Sequence, residues 1–350
     1  MDMKREYYED IELCHSNFVR AWFVVLMLSL FLLPIFVKGY YVYVVNLIFI
    51  NIIVALGLNL LVGYTGQISL GHAGFFAIGA YTSVLLMTKA HIPFLLALPA
   101  AGIVSALFGF LLGLPALRLT GPYLAIATLG FGMAVTQIIG HWEGLFGGRM
   151  GIVTPKISLG GFVLSTDKQM YYLIMVLAVA MSIAARNIVK TRVGRAFIAI
   201  RDSDIAAETL GVNLTLYKTL SFALSAFYTG IAGSLWAHIL GFINPASFNL
   251  ILSIMFLSMI VVGGLGSIPG SIFGAILLTI LQIELNNIQE IPLLGPLVLA
   301  ASQRWFSVSG LANVSSIIFG LILVLIMIFE PRGMYGLWIR AKIYFKTWPF

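Results

Sequence analysis

Charge is what this 350-residue sequence lacks most: Asp, Glu, Lys and Arg make up 9% of it, against a hydrophobic share of 60%. A soluble domain draws about a quarter of its residues from those four types, so this chain cannot cover a water-facing surface. A single cysteine, Cys14, excludes a disulfide scaffold. The mean hydropathy of +1.03 excludes disorder, whose signature is the opposite. Chemical motifs are missing too. There is no G-x-x-x-x-G-K-[ST] to cradle nucleotide phosphates, no G-x-S-x-G and no H-E-x-x-H. His72, His91, His141 and His238 have no metal-ligand spacing. These absences argue against an enzyme, and no metal or other cofactor is implied. What remains is an all-α polytopic membrane protein, with room for about ten spans of roughly 20 residues each.

The gaps between charges map those spans. No Asp, Glu, Lys or Arg occurs in 39–88, 90–117, 119–142, 219–283 or 305–329. Such long gaps hold several crossings, broken where Gly, Pro and polar residues cluster. The division predicts spans at Ala21–Val37, Tyr41–Val62, Ser69–Met87, Phe94–Leu114, Tyr123–Ile139, Met170–Val189, Tyr217–Leu240, Leu250–Val262, Ile272–Leu285 and Asn313–Phe329. The eighth and ninth are short for a crossing. With a cytoplasmic N-terminus, ten spans return the C-terminus to the cytoplasm. Lys38, Lys89, Arg149, Lys156, Lys168 and Arg304 then lie outside, and the remaining fourteen of the 20 basic residues inside. The net charge of +7 reads as anchoring on anionic lipid, and the basic residues are too dispersed for a nucleic-acid groove. Asp2, Glu6, Glu9, Asp10 and Glu12 precede the first span, too acidic a stretch for a signal peptide, so that span is expected to be retained.

The expected organisation is a cytoplasmic segment 1–20, a transmembrane domain 21–330 and a cytoplasmic tail 331–350. Two loops stand out. The external one, 140–169, is long for a plain connection, and it is either solvated linker or a docking surface for an external partner. The inner one, 190–216, contains Arg201-Asp-Ser-Asp-Ile-Ala-Ala-Glu-Thr-Leu-Gly211. Asp202 or Ser203 suits an N-cap, Asp204 the first turn, and Gly211 a left-handed C-terminal position. The short helix so defined either lies on the lipid interface or inserts small Ala206 and Ala207 into a groove of another protein.

The segment Gly63-Tyr-Thr-Gly-Gln-Ile-Ser-Leu-Gly71-His-Ala-Gly-Phe-Phe76 puts glycines, Gln67, Ser69 and His72 inside an apolar region. Backbone loosens at membrane depth only when buried in protein or lining a wet cavity. A second run, Gly263-Gly-Leu-Gly266-Ser-Ile268-Pro-Gly270, aligns Gly263, Gly266 and Ile268 with Gly63, Gly66 and Ile68. Glycine-interrupted segments in both halves point to internal repeats flanking a transport path. Close helix packing through small residues explains the glycines equally well. The expected pathway residues are Gly66, Gln67, Ser69, Gly71, His72, Phe75, Gly264 and Gly266.

Residues 58–81, Gly121-Pro-Tyr-Leu-Ala-Ile-Ala-Thr-Leu-Gly130, the loop 192–211, Val261–Gly270 and the closing Glu330-Pro-Arg-Gly-Met-Tyr-Gly336 resemble branched-chain amino acid ABC transporter permeases of the LivM type. The likeness is spread over roughly 40–336 in family order; 1–20 and 289–313 carry no such motif. It implies an importer of several subunits: this permease, a second homologous permease, two ATP-binding cassette subunits, and an extracytoplasmic solute-binding protein, in the cell inner membrane. It further implies that Ala206–Gly211 is the coupling helix docking into the ATPases. Arg201, Asp202, Asp204, Ala206, Ala207, Glu208 and Gly211 are its expected residues. Branched-chain or other apolar amino acids are the expected substrates, with urea or short amides as the alternative. A stand-alone channel remains the rival of another class, though it leaves the inner loop without a task.

Overall fold

The computed structural model describes residues 17–116, 119, 121–159, 162–164, 166–286, 310–330 and 333–347. Most of the N-terminal segment and residues 289–309 of the stretch without a motif lie outside them, with the basic residues they carry.

Helices occupy each of the ten apolar segments: α1 Asn17–Phe36, α2 Gly39–Thr65, α3 His72–Thr88, α4 Phe94–Ala116, α5 Pro122–His141, α7 Asp167–Lys190, α10 Leu214–Leu240, α11 Leu250–Gly263, α12 Ile268–Asn286 and α13 Gly310–Phe329. Between them lie the short α6 Glu143–Phe146, then α8 Arg192–Asp202 and α9 Asp204–Thr209; α14 Gly333–Thr347 follows. Among the described residues seven helices are long and apolar enough to cross a membrane, or eight if Phe319–Phe329 and Gly333–Tyr344, bent by 44°, form one crossing. The apolar stretches Arg20–Phe36 and His72–Thr88 are shorter.

Two expectations change. The third span starts at His72 rather than Ser69, because Gly66–Gly71 is not helical. The eighth gains length from a 3-10 turn, Pro245–Ser247, so that 245–263 together reach 19 residues. Among the described residues of the tail, helix α14 packs against α11 and α12, Trp338 lies against Phe273, and Glu330 pairs with Arg340.

Helices α2 and α10 are apolar all round and mostly buried, which makes them the centre of the bundle. Helix α3 crosses α10 so closely that a Cβ on Gly79 would sit 2.1 Å from the Gly230 carbonyl oxygen. Small residues at such crossings let backbones approach, which drives helix association where lipid removes the hydrophobic effect. Buried polar side chains bridge the helices: Asn51 donates to Thr279 (2.8 Å) and the Tyr228 hydroxyl to the Met181 carbonyl (3.0 Å). Helices α4 and α5 keep wide apolar faces open, as lipid or a partner subunit requires.

The 140–169 loop is more ordered than a solvated linker. Strand β1 (Ile152–Val153) pairs antiparallel with β4 (Phe242–Ile243), and β2 (Ile157–Leu159) with β3 (Phe162–Leu164). Because α7 runs from this loop to α8, the 140–169 loop and the α8–α9 hairpin occupy opposite ends of the bundle.

Candidate functional site

The first break lies between α2 and α3. Gly66 caps α2 in the left-handed region (φ +74°), with its N–H bonded to the Val62 carbonyl, and the Gln67 N–H returns to Leu61. Helix α3 then opens with free N–H donors that its own cap, Gly71, has no side chain to satisfy. Neighbours supply the acceptors. Leu70 N–H donates to the Thr128 hydroxyl on α5 (3.0 Å), and Ala73 N–H to the Ser253 hydroxyl on α11 (2.9 Å). Thr128 sits near the middle of α5, so the irregular backbone lies midway along that helix and is paid for by side chains of two others.

Several expected pathway residues are braces within this packing. Ser69 Oγ lies 3.1 Å from His72 Nδ1, and His72 Nε2 lies 2.7 Å from Ser225 Oγ on α10. His72 is fully buried and meets Phe75 edge-on, and Phe75 in turn packs on Phe131. A Cβ on Gly71 would stand 2.2 Å from the Thr128 carbonyl oxygen. At Gly71, close packing is therefore the reading the geometry favours. Gln67 differs: it is 7% exposed, and neither amide atom has a hydrogen-bond partner among the described residues. An unsatisfied buried group costs about 1–3 kcal/mol.

The second break, Gly264–Ser267, joins α11 to α12, with Gly264 at φ +119° and Gly266 at φ +73°. The two glycine runs meet in space. A Cβ on Gly63 would lie 2.4 Å from the Gly266 nitrogen. Asn59, wholly buried on α2, ties them: its Oδ1 accepts from Gly266 N–H (2.9 Å), and its Nδ2 donates to the Ser267 carbonyl (2.9 Å) and the Ser271 hydroxyl (2.7 Å). Asn59 was not among the expected residues. Its signal was an amide at membrane depth, shared with Asn46 and Asn51 of the same span.

Arg201, in the last turn of α8, reaches the same crossing. Its Nη1 donates to the Gly63 carbonyl (2.8 Å), one of the end carbonyls of α2. The side chain passes over Gly66, where a Cβ would meet Cγ at 3.5 Å, and over Gly266, where a Cβ would meet Nη1 at 2.6 Å. One guanidinium thus rests on both breaks.

Beyond Arg201, Ser203 caps α9 by accepting from Ala206 N–H (3.2 Å), Asp204 pairs with Lys218 at the start of α10, and Gly211 takes φ +86°. Asp202, Ala206 and Glu208 are exposed. Ala207 is not available to a partner: it is 1% exposed, turned against its own chain, and its carbonyl accepts from Val212 N–H. Ile205 of α9 and Leu210, which follows it, are the exposed large apolar residues of this hairpin end, 79% and 82% exposed.

A groove of two adjoining cavities, about 220 and 320 Å³, runs between α5 and the segment 245–253. The two share Thr136, Gln137, Phe248 and Asn249. Arg149 stands at the mouth, and Leu70 and Ala73 of the first break form the far end. From Gly140 to Leu129 along α5 the groove extends about 16 Å at 1.5 Å per residue. Among the described residues no group of three or more His, Cys, Asp or Glu could hold a metal.

Residues 40–327 match the model of the family described as "Branched-chain amino acid transport system / permease component". The chain is 35% identical to the high-affinity branched-chain amino acid transport system permease protein LivM of Salmonella typhimurium, over 86% of this chain and 71% of that protein. To LivH of Escherichia coli, from the same kind of system, it is 26% identical over 66% of this chain and 80% of LivH. The autoinducer 2 import system permease protein LsrC of Yersinia enterocolitica is 28% identical over 65% and 60%. No solved structure matches.

Proposed function

Since the chain belongs to the family of branched-chain amino acid transport permeases, a multi-pass membrane family, we propose that it is one membrane subunit of an ATP-driven importer. On this reading it pairs with a second homologous permease, takes branched-chain or other apolar amino acids from an extracytoplasmic binding protein, and is driven by two ATP-binding cassette subunits on the cytoplasmic side. It crosses the inner membrane ten times: the seven long apolar helices, the two shorter ones and α13, with α14 in the cytoplasmic tail. Both termini and the α8–α9 hairpin are cytoplasmic, and the 140–169 loop is external.

Arg201 carries the mechanical part of this proposal. A short helix with an apolar outward face, Ile205 and Leu210, is joined through Ser203 to the helix whose Arg201 holds the crossing of both breaks. Motion imposed on α9 by a nucleotide-driven partner therefore reaches Gly63, Gly66 and Gly266 through one side chain. The break above them forms the end of the groove, so coupling and gating share the same backbone. Gln67, buried and unpartnered beside the break, is the pathway residue that this geometry supports best.

Docking is tested by replacing Ile205 and Leu210 together with Asp. Burying two such side chains is worth about 1.5–3 kcal/mol each, so their loss weakens ATPase association by roughly a hundredfold or more. The expected result is a permease pair that purifies intact without its ATPases. Full ATPase recovery would remove α9 from the coupling role.

A further inference from the structure

We propose that the groove between α5 and 245–253 is the external half of the substrate path, and that Arg149 at its mouth receives the carboxylate of the amino-acid substrate. The proposal rests on the importer reading and names the substrate chemistry of the same site.

Arg149 is placed, not loose. It sits in a turn where Gly147 (φ +71°), Gly148 (φ +57°) and Gly151 (φ +80°) take left-handed conformations. That turn is clamped by the β1–β4 pairing, and a Cβ on Gly151 would meet the Ile243 carbonyl oxygen at 2.3 Å. The strand it pairs with leads directly into 245–249, so the turn that carries Arg149 and the opposite wall of the groove form one unit. Among the described residues Arg149 makes no hydrogen bond or ion pair, and Glu143, packed over Gly148, forms none with it. An exposed guanidinium with five unused donors, lining a groove, suits a carboxylate.

The remainder of the groove fits the rest of a zwitterion. The positive end of α11 opens beside Asn249, whose Oδ1 is spent on Leu252 N–H, which leaves its Nδ2 as a donor. Gln137 is exposed on α5 and its side-chain amide has no hydrogen-bond partner among the described residues; its Oε1 and the Thr136 hydroxyl oxygen are acceptors for an ammonium. Leu129, Met133 and Phe248 provide apolar room. The cavity ends at the break, where Gly71 abuts Thr128, so a bound molecule goes no further until that contact opens.

The test uses the reconstituted complex with Cys14→Ser and Met133→Cys, which puts this chain's sole thiol in the groove, and labelling is read on this chain alone. Leucine should slow labelling by a charged thiol reagent, and acetamide at the same concentration should not. Adding Arg149→Gln should shift half-protection by leucine at least about tenfold, the loss of one charge-assisted contact. Equal protection with Arg149 and with Gln, or protection by acetamide, overturns the proposal. In transport, Arg149→Gln should lower the maximal rate while the half-saturating concentration of loaded binding protein stays put. A change in that concentration alone would make Arg149 a docking contact and overturn the carboxylate role. Gln137→Leu, which removes no internal bond, should lower the rate as well. The labelling arm needs no ATP, so its outcome is independent of whether the wild-type complex proves to be an importer.

Discussion

Gly66 and Gly266 share a backbone conformation, φ +74° and +73°, but not their surroundings. Alanine at either position carries the left-handed strain of about 1–2 kcal/mol. At Gly66 the new Cβ finds Arg201 Cγ at 3.5 Å, an ordinary contact, so strain is the whole cost. At Gly266 it meets Arg201 Nη1 at 2.6 Å and the guanidinium must leave, which breaks its 2.8 Å bond to the Gly63 carbonyl. A hydrogen bond to a charged group is worth about 1.5–3 kcal/mol, and exposure of Arg201 to solvent reduces that to about 1 kcal/mol. Gly266→Ala should therefore cost about 2–3 kcal/mol and Arg201→Ala about 1 kcal/mol. Their combination should cost about 1 kcal/mol less than the sum, because the bond is lost only once. Gly66→Ala with Arg201→Ala should be additive. Equilibrium unfolding of the wild type and the five variants in mixed micelles measures both cycles. Additivity within about 0.5 kcal/mol in the Gly266 cycle would refute the claim that Arg201 holds the crossing.

Two further outcomes follow from the same geometry. Gln67→Leu removes a buried amide without partners, so the protein should gain about 1 kcal/mol of stability while uptake slows; unchanged uptake would return Gln67 to a packing role. Gly79→Val drives a side chain into Gly230, where even the Cβ would be 2.1 Å from oxygen, and should abolish monodisperse protein on size exclusion; Gly130→Val, with open space around it, should not.

The helices were legible because charges lie near their ends, and charge-free gaps divided at Gly, Pro and polar clusters located the ten segments to within a few residues. The break at Gly66–Gly71 was blurred for the reason that makes it interesting: Ile68 and Leu70 keep it apolar while Gly66 and Gly71 release the helix, so the third span was drawn from Ser69. Polar residues at depth were visible, but not what they face. His72 is satisfied by Ser225, which lies 153 positions later in the chain, and no local pattern distinguishes that brace from a lumen residue. Asn59, one of three amides in its span, and Arg201, in the charged inner loop, were in plain view, yet their shared target, the meeting of two glycine runs, exists only after folding. In α9 the N-cap and Gly211 followed from residue type. That Ala207 turns inward while Ile205 and Leu210 turn outward did not, since six residues carry too little periodicity to orient a face.

Leucine accumulation by proteoliposomes holding the complete complex, with and without enclosed ATP and with loaded binding protein outside, tests the importer reading most directly. The account predicts uptake beyond equilibrium that requires ATP and disappears with Ile205→Asp and Leu210→Asp. Equilibration of leucine through the permease without ATP, unaffected by those two substitutions, would contradict it and make the chain a channel.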